Sequence, residues 1–267
     1  MSFKDHFSKQ AADYAKFRPR YPQELFDYLG KIAPSRQLAW DCGTGNGQAA
    51  VGIASVFDHV IATDASEKQI ANAQPHERVE YRVAPAESSG IESRTLDLIM
   101  VAQAIHWFDL SRFYQEVSRV LKNNGVFAAS AYKFLHIAPE IDQLVNHRYY
   151  DKIAGPFWPS ERVLVEEFEK LPFPFSEVQT ASFEMTAQWD MKHLVGYLRS
   201  WSATQRFIAA NNRRPPREDN RSTPRRVGRC QGEAPRHLAA DFAGRDQGYF
   251  RNRRRNKLER CSMLAPR

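Results

Sequence analysis

Residues 38–47 read Leu38-Ala39-Trp40-Asp41-Cys42-Gly43-Thr44-Gly45-Asn46-Gly47, and this stretch decides the fold. A short apolar run feeds an acid, glycine then recurs at every second position, and residues 46–56 (NGQAAVGIASV) suit a helix. Glycine lets the main chain turn sharply and lets another molecule approach it with no Cβ in the way. Strand, glycine loop and helix in that order open a parallel sheet, whose ligands sit beyond the carboxyl ends of the strands.

Working outward, residues 21–33 place Leu25, Phe26, Tyr28, Leu29 and Ile32 on one helical face, with Pro22 suited to the first turn. His59–Thr63 is a buried-strand candidate ending on Asp64, and Ser66 suits the cap of a helix over 67–74. Val79–Val83 and Leu96–Val101 are the third and fourth strands. A helix over 111–122 is expected to close in a left-handed turn at Lys122-Asn123-Asn124-Gly125, before a fifth strand over Val126–Ala131. Strands separated by helices of about ten residues imply right-handed crossovers, hence an α/β, Rossmann-like fold with a mostly parallel sheet and helices on both faces. Beyond 131, residues 139–153 and 161–170 suit helices within an insertion of about 135–172. Residues 176–187 suit a strand, and residues 190–209 suit one further helix.

Charge divides the chain. Residues 212–267 hold 16 of its 38 Lys+Arg and 6 of its 31 Asp+Glu, a net of +10, so residues 1–211 carry a net of −3. The tail is arginine- and proline-rich with isolated apolar residues, and is expected to be disordered. No apolar run approaches 18 residues, so no membrane span is expected. The charged N-terminus does not read as a signal peptide, and three widely spaced cysteines make neither a disulfide framework nor a metal site. A cytoplasmic location is the expectation.

Two nucleotide-type ligands compete for the glycine loop. In the dinucleotide fingerprint G-x-G-x-x-G, glycine stands sixth; counted from Gly43, the sixth residue here is Gln48. Asp41, at the strand end, would repel a pyrophosphate and welcome a cation, such as an α-ammonium beside a sulfonium. The loop therefore favours S-adenosyl-L-methionine over NAD, with an NAD-dependent oxidoreductase as the alternative. Asp64, 23 residues on, suits both hydroxyls of a ribose. Ala86 and Glu87, after the third strand, suit an adenine edge. The fourth strand runs into Ala102–Asp109 (AQAIHWFD), which turns Gln103 toward the ligand and sets His106, Trp107 and Phe108 along the crevice. Aromatic faces there can stabilise a sulfonium.

Residues 36–131 resemble the class I S-adenosylmethionine-dependent methyltransferases, within them the methyltransferase type 11 group. The segments Asp5–Ser8, Tyr14–Pro22 and AQAIHWFD resemble a narrower set that includes trans-aconitate methyltransferase-like proteins. The resemblance implies a seven-stranded sheet and a single methyl transfer. It assigns Asp41, Gly43 and Gly45 to the methionine part, Asp64 to the ribose, and Ala86-Glu87 to the adenine. Residues 1–35 become a helical lid over the cofactor, with Tyr14, Arg18 and Tyr21 as lid candidates, and residues 36–211 the methyltransferase domain.

An arginine at the lid can hold a carboxylate acceptor in a bidentate pair. A carboxylate nucleophile needs no base; a hydroxyl, amine or carbon acid may need one, with His106 the best-placed candidate and Asp109 or His6 behind it. Nothing beside Cys42 suggests a reactive thiol. The acceptor expected is a small molecule. A nucleic acid is the competing partner, suggested by the basic tail. Against it, the tail has little aromatic interleaving, and AQAIHWFD stands where amino-methylating nucleic-acid enzymes carry an Asn/Asp-Pro-Pro-aromatic tetrapeptide. The tail's abrupt change of composition near Asn211 also fits translation out of frame. In that case the final antiparallel strand is missing and the far edge of the sheet lies exposed; the coding DNA decides this.

Overall fold

The computed structural model describes residues 17–132, 135–162, 168, 171–173, 175 and 179–211, together with the backbone of 240–241 and 244–252. Tyr14, Lys133, residues 163–167 and the stretches 212–239 and 253–267 lie outside the described residues.

Five strands alternate with helices: β1 (Leu38–Cys42), β2 (His59–Asp64), β3 (Val79–Val83), β4 (Leu96–Ala102) and β5 (Leu121–Ala131). They pair in parallel in the order β3-β2-β1-β4-β5. The chain moves outward in one direction from β1 to β3 and in the other from β4 to β5. The strand order thus reverses at β1, and the crevice opens above its carboxyl end. Asp41 pairs with Ala62 of β2 and Met100 of β4, at the centre of the sheet.

Strand periodicity builds the two faces. Leu98 and Met100 of β4 join Ala39, Val126 and Ala128 under α1 (Gln23–Ile32) and α2 (Gln48–Ala54). Ile99 and Val101 point the other way, with Trp40, Phe127 and Ala129, against Phe113, Val117 and Val120 of α4 (Leu110–Val120). The helix α3 (Glu67–Ala71) begins as the sequence suggests, with the Ser66 hydroxyl accepting from the Gln69 N–H at 3.4 Å. Pro22 stands at the cap of α1, one place before its first turn.

Above the carboxyl edge, a third cluster joins Tyr132, Leu135, Val145, Tyr150 and Met185 to Trp189, Leu194, Tyr197 and Trp201. It is built from α5 (Pro139–Asp142), the π-type winding that continues it over Gln143–Ala154, α6 (Met191–Arg199) and α7 (Ser202–Asn211). Among the described residues no helix is long and apolar enough to cross a membrane.

Several boundaries depart from the sequence expectation. The helix before β5 stops at Val120, and residues 121–125 are already strand: Thr95 donates to Val120 O, and Leu96 pairs with Leu121. No left-handed residue closes that helix, because pairing with β4 satisfies the main chain instead. The helix expected over 190–209 is two, broken at Ser200, whose hydroxyl donates to Tyr197 O at 2.6 Å. The strand expected over 176–187 is β6 (Gln179–Met185), followed by the short β7 (Gln188–Trp189). Of the helix expected over 161–170, the described part is a single 3-10 turn, Ser160–Arg162.

The largest correction concerns the far edge of the sheet. The final antiparallel strand is present: β9 (Gly244–Asn252) lies between β5 and β6 and pairs antiparallel with both, completing seven strands. A second short strand, β8 (Ala240–Asp241), pairs with β7. The composition of the tail concealed this, because ladder pairing uses main-chain groups that every residue but proline supplies.

Candidate active site

Three left-handed glycines shape the β1–α2 loop: Gly43 (φ +73°), Gly45 (+57°) and Gly47 (+85°). The N–H groups of Gly43 and Thr44 both donate to Thr63 O at 2.9 Å, which ties the loop to β2. A Cβ at Gly43 would come within 2.6 Å of the Ala104 Cβ, and one at Gly47 would overlap the Tyr81 hydroxyl. A Cβ at Gly45 would meet no protein atom within 4 Å; this glycine faces the open crevice.

The two acids flank this loop differently. Asp41 is fully buried, and its Oδ2 accepts the Thr44 hydroxyl at 2.5 Å. Its Oδ1 meets no donor at hydrogen-bond geometry among the described residues. Burial pushes its carboxyl up to about 7; the Thr44 hydroxyl and the Ala50 main chain oppose the rise, and Asp64 adds to it. Asp64 uses both oxygens to hold the loop, Oδ2 accepting from Gly45 N–H at 2.9 Å and Oδ1 from Ser66 N–H at 2.8 Å. Cys42 lies beneath, its thiol pushed up by burial and by the neighbouring carboxylates of Asp41, Asp64 and Glu87.

One cavity of about 660 Å³ gathers the predicted cofactor residues. Asp41, Gly43, Gly45, Asp64, Ala86, Glu87 and Gln103 all line it, as do Arg18, Tyr21 and Trp107. Glu87 also has a structural task, since its Oε1 accepts from the Asp109 N–H at 2.8 Å and fixes the start of α4, which Asp109 caps. Gln103 takes a left-handed φ of +57°, a conformation that costs a non-glycine residue about 1 kcal/mol or more. Its side chain is clasped to the residue just past β5, Nε2 donating to Tyr132 O at 2.7 Å.

His106 departs from its expected place. It is buried, 7% exposed, and lines a second, smaller cavity of about 50 Å³ instead of the large one. Burial, and secondarily the Arg162 charge, lowers its pKa to about 3, so the imidazole is neutral and weakly basic at neutral pH. Its Nδ1 has no hydrogen-bond partner among the described residues. Arg18, Gln103, Trp107 and Tyr132 line both cavities and form the boundary between them. Arg18 is held there by the Tyr132 hydroxyl at 3.2 Å, Ser200 O at 3.5 Å and the Tyr197 ring at 5.4 Å.

Sequence reasoning missed Tyr132, Tyr150, Trp158, Arg162, Tyr197 and Trp201, which wall the smaller cavity. They are scattered over 70 residues, and only the four-residue steps Trp158/Arg162 and Tyr197/Trp201 link any of them locally. A surplus of aromatics over residues 132–211 was the available signal.

Fold and site together define a class I methyltransferase architecture: a parallel sheet with one antiparallel strand, a glycine loop at the switch point and an acid at the end of each of the first two strands. The comparisons agree. Residues 40–129 match the family model described as a methyltransferase domain. A Dictyostelium discoideum protein assigned as a methyltransferase is 35% identical over 215 residues, 79% of this chain and 82% of that one. A Saccharomyces cerevisiae protein assigned as an S-adenosylmethionine-dependent methyltransferase is 31% identical over 49% of this chain and 47% of its own length. A solved structure from Anaeromyxobacter dehalogenans, assigned as a type II methyltransferase, is 38% identical with a TM-score of 0.71, covering 88% of this chain and 95% of that one. The chain belongs to the S-adenosylmethionine-dependent methyltransferases, and the oxidoreductase alternative falls away.

Proposed function

We propose that the chain transfers a methyl group from S-adenosylmethionine to a small organic acid, at a carboxylate oxygen. The donor's fit rests on the large cavity. A buried carboxylate oxygen of Asp41, lacking a donor at hydrogen-bond geometry among the described residues, suits an α-ammonium. The open face of Gly45 leaves room for the methionine part, Asp64 suits the ribose hydroxyls, and Ala86-Glu87 suits the adenine edge. Bound S-adenosylmethionine supplies a methyl group activated by a sulfonium.

The observation that carries the acceptor assignment is Arg18. Its guanidinium stands on the boundary of the two cavities, and the described lining of the smaller one includes no Asp or Glu. A guanidinium fixed by a ring, a hydroxyl and a main-chain carbonyl can grip a carboxylate and align it, which is the main task in an in-line methyl transfer. Trp107 and Phe108 wall the large cavity beside it and help exclude water. His106 is too weakly basic to serve well as a general base, and a carboxylate nucleophile needs none. A polynucleotide acceptor has less support, because the recognition groups line a cavity of only about 50 Å³.

The test is release of labelled methyl over a panel of small carboxylic acids and their amides. Acids are expected to accept the methyl, the amides not, and the product to be a base-labile ester. A product stable to alkali, or transfer to the amides alone, refutes the assignment.

A further inference from the structure

We infer that the smaller cavity behind Gln103 is a built subsite for an anionic group of the acceptor, and that Arg162 sets the preference for that charge. The inference rests on the organic-acid reading above and deepens it by naming the groups that recognise the acid.

Three observations converge on this cavity of about 50 Å³. Two guanidiniums line it, Arg18 and Arg162, with no carboxylate in its described lining. Arg162 is held in place by its own neighbours: Nε donates to the Tyr150 hydroxyl at 3.4 Å, and the guanidinium lies over the Trp158 ring at 4.8 Å. Stacking on a ring leaves the edge N–H groups of a guanidinium in plane, ready for a planar anion.

Two further polar atoms here are buried without a hydrogen-bond partner among the described residues, Trp158 Nε1 and His106 Nδ1. An indole N–H is a donor only, so it needs an acceptor; a neutral imidazole can turn either role toward the cavity. A buried donor left unpaired is costly, and native structures rarely keep one without a reason. Trapped water would satisfy the indole, and the volume admits it. Water accepts from guanidinium N–H groups too, but it brings no charge to offset that of Arg162. A carboxylate does: it is acceptor-only, planar and able to take paired N–H groups on two oxygens. Because Arg18, Gln103, Trp107 and Tyr132 border both cavities, an anion here lies beside the donor cavity.

The experiment titrates acetate and benzoate, with acetamide and benzamide as uncharged isosteres, into the full chain saturated with S-adenosylhomocysteine. Tryptophan fluorescence reads binding, since Trp107, Trp158 and Trp201 all line this cavity. The anions are expected to saturate, and the amides to bind at least about tenfold more weakly. Arg162→Gln is expected to weaken the anions by about tenfold or more while leaving the amides within about twofold. Calorimetry with S-adenosylhomocysteine verifies that the variant is folded. If it is not, Trp158→Phe, which keeps the ring and deletes the N–H, carries the test with a smaller loss confined to the anions. Anion binding unchanged by both substitutions, or an equal loss for anions and amides, overturns the subsite. A chain that binds acetate through Arg162 but releases no methyl to any organic acid keeps the subsite and sinks the proposed reaction. A chain that methylates organic acids without regard to Arg162 does the reverse.

Discussion

Binding of S-adenosylhomocysteine is expected to take a proton off Asp41, so affinity should fall as pH falls. The buried carboxyl is pushed up to about 7, chiefly because burial penalises its charged form. An α-ammonium beside it favours ionisation, so the ligand binds the ionised form and must displace the proton below that pH. With one such group, the dissociation constant grows as one plus the ratio of protonated to ionised Asp41. Between about pH 7.5 and about pH 5.5 this amounts to a loss of roughly twentyfold.

The sign for the ligand-free protein is opposite. A carboxyl whose folded pKa is raised contributes stability at low pH that is lost as pH rises from about 4 to about 7, on the order of 4 kcal/mol for this shift. Ligand-induced thermal stabilisation should therefore grow through the same window. Calorimetry in buffers of different ionisation enthalpy reads both quantities, the affinity and about one proton released per ligand near pH 6. Asp41→Asn keeps the shape and removes the titration; its affinity should be weak at every pH and its slope flat. An affinity that is constant, or that improves on acidification, refutes the pairing of Asp41 with the ammonium. So does a slope that survives in the Asn variant.

Two further outcomes follow from the backbone. Gly47→Ala forces a Cβ onto the Tyr81 hydroxyl at φ +85°, and should lower stability by about 2 kcal/mol or more, read as a reduced denaturation midpoint. A chain ending at Asn211 loses β9 from between β5 and β6 and bares strand edges; light scattering should show it associating where the full chain does not, and equal monodispersity would count against the role given to β9.

Much of this site could be read from the sequence because its residues follow the strand ends. Asp41, Asp64, Ala86 and Gln103 each stand at or just past the end of one of the first four strands, and consecutive parallel strands bring those ends to one edge. Strand and helix periods, together with the glycine loop, were enough to place them. On the acceptor side only Arg18 and Trp107 were legible. Tyr132, the pair Trp158 and Arg162, and Tyr197 come from three separate stretches, and only the packing of the helical cap on the sheet makes them neighbours of Arg18.

What the sequence by itself determined is the central half-sheet, its switch point and the methyl donor, because these depend on local periodicity and on glycines that must turn left-handed. What only the tertiary structure decided is threefold. His106 is stripped of basicity by burial and by the facing Arg162. Gln103 is strained and clasped to the residue just past β5. The strand at 244–252 closes the sheet from within a segment whose composition argues for disorder. Each of these is set by what a group is packed or paired against, and that environment is assembled from distant parts of the chain.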